Sequence, residues 1–184
     1  MKLIIERHDE KTERNMYDEL LFITSKYNTI LNNPRLKVHK VTNVFWGYIV
    51  MGIIIVALFT YFAIKKNSPV FIALIILAVL CIILSIKYLI DAYKFINNEL
   101  SKKAKSEITI NTSGVRLTKG KGFDYKMAWD DIAYVIVNKH SIVFLPKDRT
   151  MLIGINSCYN GKIVKALLDE KKEDLLIDNG LLYK

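Results

Sequence analysis

Residues 44–64 read VFWGYIVMGIIIVALFTYFAI and residues 70–90 read VFIALIILAVLCIILSIKYLI, with only KKNSP between them. The first run carries no charge, and at about 1.5 Å per residue a helix of roughly 20 residues crosses a hydrocarbon core of about 30 Å. The second holds one charge, Lys87, near enough to its end for the stem to reach the headgroups. Two adjacent all-apolar runs of this length exceed what the core of a 184-residue soluble chain can cover. The pattern predicts a transmembrane hairpin: spans at 44–64 and 70–90 joined by an external turn at 65–69.

Lysines near the span ends set the expected orientation. Lys37 and Lys40 precede the first span, and Lys94, Lys102, Lys103 and Lys105 follow the second, against Lys65 and Lys66 in the turn. Both termini are therefore expected in the cytoplasm. The chain has 27 Lys/Arg against 18 Asp/Glu, a net charge of +9, and the excess is spread over all three segments. No basic arm or stripe of the kind that follows nucleic-acid phosphates stands out, so no nucleic-acid partner is expected; membrane lipids are. The two cysteines, Cys81 inside the second span and Cys158 far downstream, form neither a disulfide framework nor a zinc spacing. The apolar runs also begin too far from Met1 to be the core of a cleaved signal peptide.

Outside the hairpin the periodicity changes twice. Residues 1–43 form a cytoplasmic segment whose opening MKLII reads either as a strand or as a frayed end. A helix over about 9–33 follows, with Met16, Leu20, Ile23, Tyr27 and Ile30 on one apolar stripe that packs on the protein's own soluble domain, on a partner or on the bilayer surface. After the second span, Leu89, Tyr93, Ile96 and Leu100 continue a helical stripe, so 91–105 reads as a stalk. From residue 106 the period is two. Strands are expected around Ile108–Ile110, Val115–Leu117, 123–129, 132–137, 141–145 and 151–155, with Gly114 supplying a positive-φ turn. A closing helix over about 160–171, N-capped by Asn160, ends the domain, and the tail beyond it is unassigned.

These features define a membrane α+β protein: a two-helix hairpin, a cytoplasmic N-terminal helix and a small antiparallel β domain at 106–184 closed by a helix. The stretches EITINTSGV, KMAWDDIAYV and SIVFLPKD, with Gly114, Trp129, Ile132 and the 146–148 turn, resemble the YcxB-like bacterial membrane proteins. That resemblance implies a C-terminal domain related to pleckstrin-homology (PH-like) domains, placed at the bacterial cell membrane, and it brings no catalytic residues.

Chemistry-bearing residues are sparse. His8, His39 and His140 are isolated, Asp130–Asp131 suits a turn, and 118–122 lacks the spacing of a phosphate-binding loop. No catalytic, cofactor or metal residues are assigned. Arg116, Lys119, Lys121 and Lys126 are the candidate contacts, for anionic lipid or a partner, with a solvated turn as the plainer reading. The expected function is that of a non-enzymatic interaction or regulatory protein, with an unknown protein partner or self-association. The alternative is an immunity protein protecting the cell from a co-produced toxin or bacteriocin.

Overall fold

The computed structural model describes residues 1–6, 9–66, 68–101, 106–120 and 122–179. The chain divides into two compact units, one of Met1–Val38 with Glu99–Lys184 and one of His39–Asn98. The 1–43 segment, whose apolar stripe was expected to pack on the protein's own soluble domain, on a partner or on the bilayer, shares a unit with the β domain as far as Val38.

Unit one is built on two four-stranded sheets. Sheet A runs β1–β2–β3–β4, from Lys2–Ile5, Ser106–Asn111, Gly114–Lys119 and Phe123–Ala128, all antiparallel. The opening MKLII is therefore a paired strand: Leu3 faces Ile108 across the ladder, and the Ile110 N–H donates to the Met1 carbonyl at 2.8 Å. Sheet B runs β7–β6–β5–β8, from Ile153–Asn156, Ser141–Pro146, Ile132–Val137 and Leu176–Asp178, with β8 parallel to β5. Leu3, Ile108, Val115, Leu117, Met127, Val135, Phe144 and Ile155 share one apolar core with α5 (Asn160–Asp169), which contributes Ile163, Ala166 and Leu167. Period-two alternation places these residues on the inner faces of both sheets.

Strand β6 is buried at every position, so sheet B needs cover on its outer face as well. Helix α1 (Glu10–Ser25) provides it by packing on β6 and β7. Asp9 caps the helix by accepting the Thr12 N–H at 3.0 Å, and Thr12 Oγ1 also donates to it. A side chain at Gly154 would meet Leu20 Cδ2 at 2.4 Å, so glycine there is what lets Leu20 seat against β7. The continuous helix expected over 9–33 is broken at Lys26 (φ −110°), and α2 (Tyr27–Asn32) follows; Thr24 and Ser25 hydroxyls bond back to the Leu20 and Phe22 carbonyls just before the break. Tyr27 and Ile30 stay buried across it.

Other expectations shift locally. Trp129 leaves the strand and sits in a 3-10 turn, Trp129–Asp131, with its indole N–H donating to the Asn111 carbonyl at 2.8 Å. Asn160 is not the cap of α5: Tyr159 holds that position, and Asn156 instead accepts the Cys158 N–H at 3.0 Å in the preceding turn. The unassigned tail contains β8.

Unit two holds two helices long and apolar enough to cross a membrane, α3 (Val41–Lys66) and α4 (Pro69–Ser101), and α4 continues past it to Ser101. The expected stalk is thus an unbroken extension of the second apolar run as far as Ser101; 102–105 lie outside the described residues. Leu89, Ala92, Ile96 and Leu100 are its buried stripe, with Tyr93 exposed rather than inside it.

Candidate functional site

The antiparallel register decides what the candidate basic residues can do together. Arg116 pairs directly with Lys126 across β3 and β4, so both lie on the outer face of sheet A and are exposed. Lys119 has the parity of Val115 and Leu117 and stands opposite Phe123, on the other face. Lys121 lies outside the described residues. The outer face carries acids as well. Arg116 Nε donates to Asp124 Oδ1 at 2.7 Å and its Nη2 engages Asp124 Oδ2, while Lys2 pairs with Glu107 at 3.0 Å. The guanidinium holds the Asp124 carboxyl below its ordinary range and is itself raised, first by that hydrogen bond. Lys2, Glu107, Arg116, Asp124 and Lys126 thus alternate in sign over one sheet face, and Arg116 is already engaged by a carboxylate. Among the described residues, the candidates Arg116, Lys119 and Lys126 do not converge on a single anion cradle.

The concentrated polar chemistry lies elsewhere, between α1 and sheet B. Glu19, 3% exposed, accepts two hydrogen bonds on Oε2: from the His140 N–H at 3.1 Å and from Ser141 Oγ at 2.8 Å. Asn138 Nδ2 donates to Ser141 Oγ at 3.3 Å, and Asn179 Nδ2 donates to Asn138 Oδ1 at 2.9 Å. Nearly two turns nearer the start of the helix, Glu13 Oε1 accepts from Asn156 Nδ2 at 3.4 Å. Alternation along β6 and β7 puts Ser141 and Asn156 on the outer face, where α1 lies. The seam runs Asn179–Asn138–Ser141–Glu19, joining the C-terminal strand to the N-terminal helix through a fully buried hydroxyl. Chemically it is a fastening: Ser141 donates to a carboxylate under a helix and has no open approach for a substrate. Sequence reading missed Glu13, Glu19, Asn138 and Asn156. For the two carboxylates the signal was there, because Glu13 and Glu19 bracket the Met16–Leu20–Ile23 stripe on the helical wheel, where a purely apolar contact would not place carboxylates.

Tyr27 adds a second fastening. Its hydroxyl lies 2.6 Å from the Pro146 carbonyl oxygen and also faces the Asp148 carbonyl, so one proton serves both. Desolvation, reinforced by the charge of Asp148, raises its pKa above the ordinary value of 10.0. The neutral form is favoured in the folded state, so its stabilisation is whole below about pH 10 and is lost as pH rises through the raised folded value. Replacing Tyr27 with Phe is expected to lower stability by about 1–2 kcal/mol near neutrality. The wild type should also lose more stability than the variant between about pH 9 and about pH 11, which denaturant titrations at both pH values measure.

Within unit two, Phe45, Tyr48, Gly52, Cys81, Ser85 and Tyr88 line part of an open, almost wholly apolar groove of about 590 Å³. Phe45 stacks on Tyr88 with centroids 5.7 Å apart, and a side chain at Gly52 would meet Ile82 Cγ1 at 2.6 Å. The Thr60 and Ser85 hydroxyls each donate to a carbonyl one turn back in their own helix, Val56 and Cys81 respectively, at 2.8 Å. Asp130 and Asp131 are exposed in their turn, and among the described residues no group of three or more His, Cys, Asp or Glu is placed to hold a metal ion. Compared with known proteins, the chain matches no family model, no curated protein and no solved structure.

Proposed function

We propose that this chain is a membrane-anchored, non-enzymatic interaction module: α3 and α4 cross the bilayer as a hairpin, and the β unit is held at the cytoplasmic face to bind another protein. One observation carries the reading. Met1–Val38 and Glu99–Lys184 build a single unit although two long apolar helices lie between them in the chain. Segments that share a sheet, as β1 and β2 do, must lie on one side of a bilayer, so the number of crossings between them is even. That parity holds whatever the lysine counts. The apolar surface of the two helices supports the same reading, since Trp46, Ile53, Leu58, Ile76, Leu80 and Ile83 are more than half exposed and suit a lipid solvent better than water. The cytoplasmic side rests on the lysines that flank the spans. A PH-like assignment, and with it the YcxB-like resemblance, is supported by the meander β2–β3–β4, the meander β5–β6–β7 and the helix α5 that follows.

Alkaline carbonate extraction and tag accessibility test the anchoring. The protein is expected to stay in the membrane fraction, with tags at both ends cleaved by protease only from the cytoplasmic face. Release by carbonate, or tags on opposite faces, overturns it. Cross-linking in intact membranes before mild solubilisation tests the binding role, and recovery of neither a protein partner nor a self-assembly would count against it.

A further inference from the structure

The C-terminal strand closes an edge that the rest of the fold leaves open. Val135, Ile136 and Val137 of β5 are fully buried, paired on one side with β6 and on the other with β8 in the register Val135–Leu176, Ile136–Ile177, Val137–Asp178. The Asn179 N–H extends the ladder to the Val137 carbonyl at 3.2 Å, and its side chain fixes the end to Asn138. Yet β8 is only 3 residues long and none is fully buried. Its hold is small for an edge that exposes unpaired N–H and C=O groups beside the apolar side chains of β5 once it is gone.

The segment that delivers β8 is strained. At the end of α5 the Lys172 N–H donates to the Leu167 carbonyl at 2.8 Å and the Lys171 N–H to the Leu168 carbonyl at 3.0 Å, the paired bonds of a Schellman turn. That turn needs a left-handed residue at its fifth position, where glycine is the usual choice. Here it is Lys171, with φ +54°, the one non-glycine residue in that region among the described residues.

We propose that the β5 edge is a strand-exchange surface, closed within one copy by its own β8 and closed between two copies by the β8 of the other. The proposal rests on the interaction-module reading and names the partner as a second copy of this chain. A second copy supplies the same register, the same packing of Leu175 and Leu176 on the core and the same Asn179–Asn138 bond. Opening the turn relieves Lys171, and confinement to one membrane raises the effective concentration of the other copy's strand. Exchange restores every contact of the strand itself, so the balance is set at the turn, where the relief of Lys171 opposes the loss of the Lys172–Leu167 and Lys171–Leu168 hydrogen bonds.

The test uses the full chain in membranes, with Cys81→Ser and Cys158→Ser as background. Two differently tagged copies are mixed, one carrying Val137→Cys and the other Asp178→Cys. Position 137 is fully buried, so only a strand in the place of β8 can bring a sulfur against it. Mild oxidation is expected to give a linked pair bearing both tags, and Lys171→Gly is expected to lower its yield about five-fold by removing the strain of the closed turn. Both substitutions in one chain report the closed form by an internal link. An internal link without any mixed pair overturns the proposal, as does the absence of both or a yield indifferent to Lys171→Gly. If exchange fails while carbonate extraction and tag accessibility come out as expected, the anchored-module reading stands and another protein takes the second copy's place.

Discussion

Gly114→Ala is expected to destabilise the β unit by roughly 3 kcal/mol or more, a large fraction of the roughly 5–15 kcal/mol that holds an ordinary domain together. Two independent effects add. Gly114 has φ +136°, a conformation that an L side chain resists, and an ideal Cβ there would lie 2.1 Å from the Met127 carbonyl oxygen. The obstacle is backbone, so no rotamer change relieves it; β3 and β4 must separate where Gly114 faces Ala128. The same turn carries the Asn111 carbonyl that accepts the Trp129 indole N–H, so the damage reaches the core. Gly161→Ala is the matched control. Nothing lies within 4 Å of its Cβ position, in the first turn of α5, and the change should stabilise by a few tenths of a kcal/mol. Pulse proteolysis of both full-length variants in detergent measures the contrast. Comparable stability of the two would mean that the 111–114 turn does not have this geometry.

What local periodicity can reveal, the sequence revealed. The two apolar runs, the strands from 106 to 155 and the positive-φ turn at Gly114 are all properties of short windows, and each appears in the structure. The failures share a physical cause, since a stripe states that a face needs cover without stating what covers it. MKLII was undecided because its partner, β2, lies more than a hundred residues away, with Met1 and Ile110 separated by 109 positions. The Met16–Ile30 stripe had three possible partners, and sheet B proved to be one of them only because β6 is apolar on both faces, a fact that matters once β6 is known to be central. The tail was opaque for the opposite reason: a 3-residue strand has too few residues to display a period. Among the candidate contacts, the sequence showed four basic residues within one stretch, but only the register shows that Arg116 and Lys126 share a face and that Asp124 occupies the guanidinium between them.

Glu19→Ala is expected to be the second large effect, a loss of about 3 kcal/mol, and it is the variant that separates a fastening from simple helix packing. The substitution strips the acceptor from two donors, the His140 N–H and Ser141 Oγ, under α1. A hydrogen bond to a charged group contributes about 1.5–3 kcal/mol, and a buried donor left unpaired costs about 1–3 kcal/mol. Glu19→Gln keeps an acceptor oxygen in place and should cost less, about 1–2 kcal/mol. Ser141→Ala discriminates further. On its own it removes one donor to Glu19 and the acceptor of Asn138; combined with Glu19→Ala it removes a hydroxyl whose proton has already lost its acceptor. The double variant should therefore fall short of the summed single losses by about 1 kcal/mol or more in a double-mutant cycle. Additive losses would mean that the two side chains act separately. The location of the damage is as informative as its size. With the seam broken, α1 loses its polar hold on β6 while the sandwich core of Ile142, Phe144 and Ile155 is untouched. Cleavage by a limiting protease should rise first at the exposed Lys26 between α1 and α2, before it rises within the strands. Simultaneous loss of protection in both places would mean that α1 is an integral part of the core and not a cover laid over sheet B.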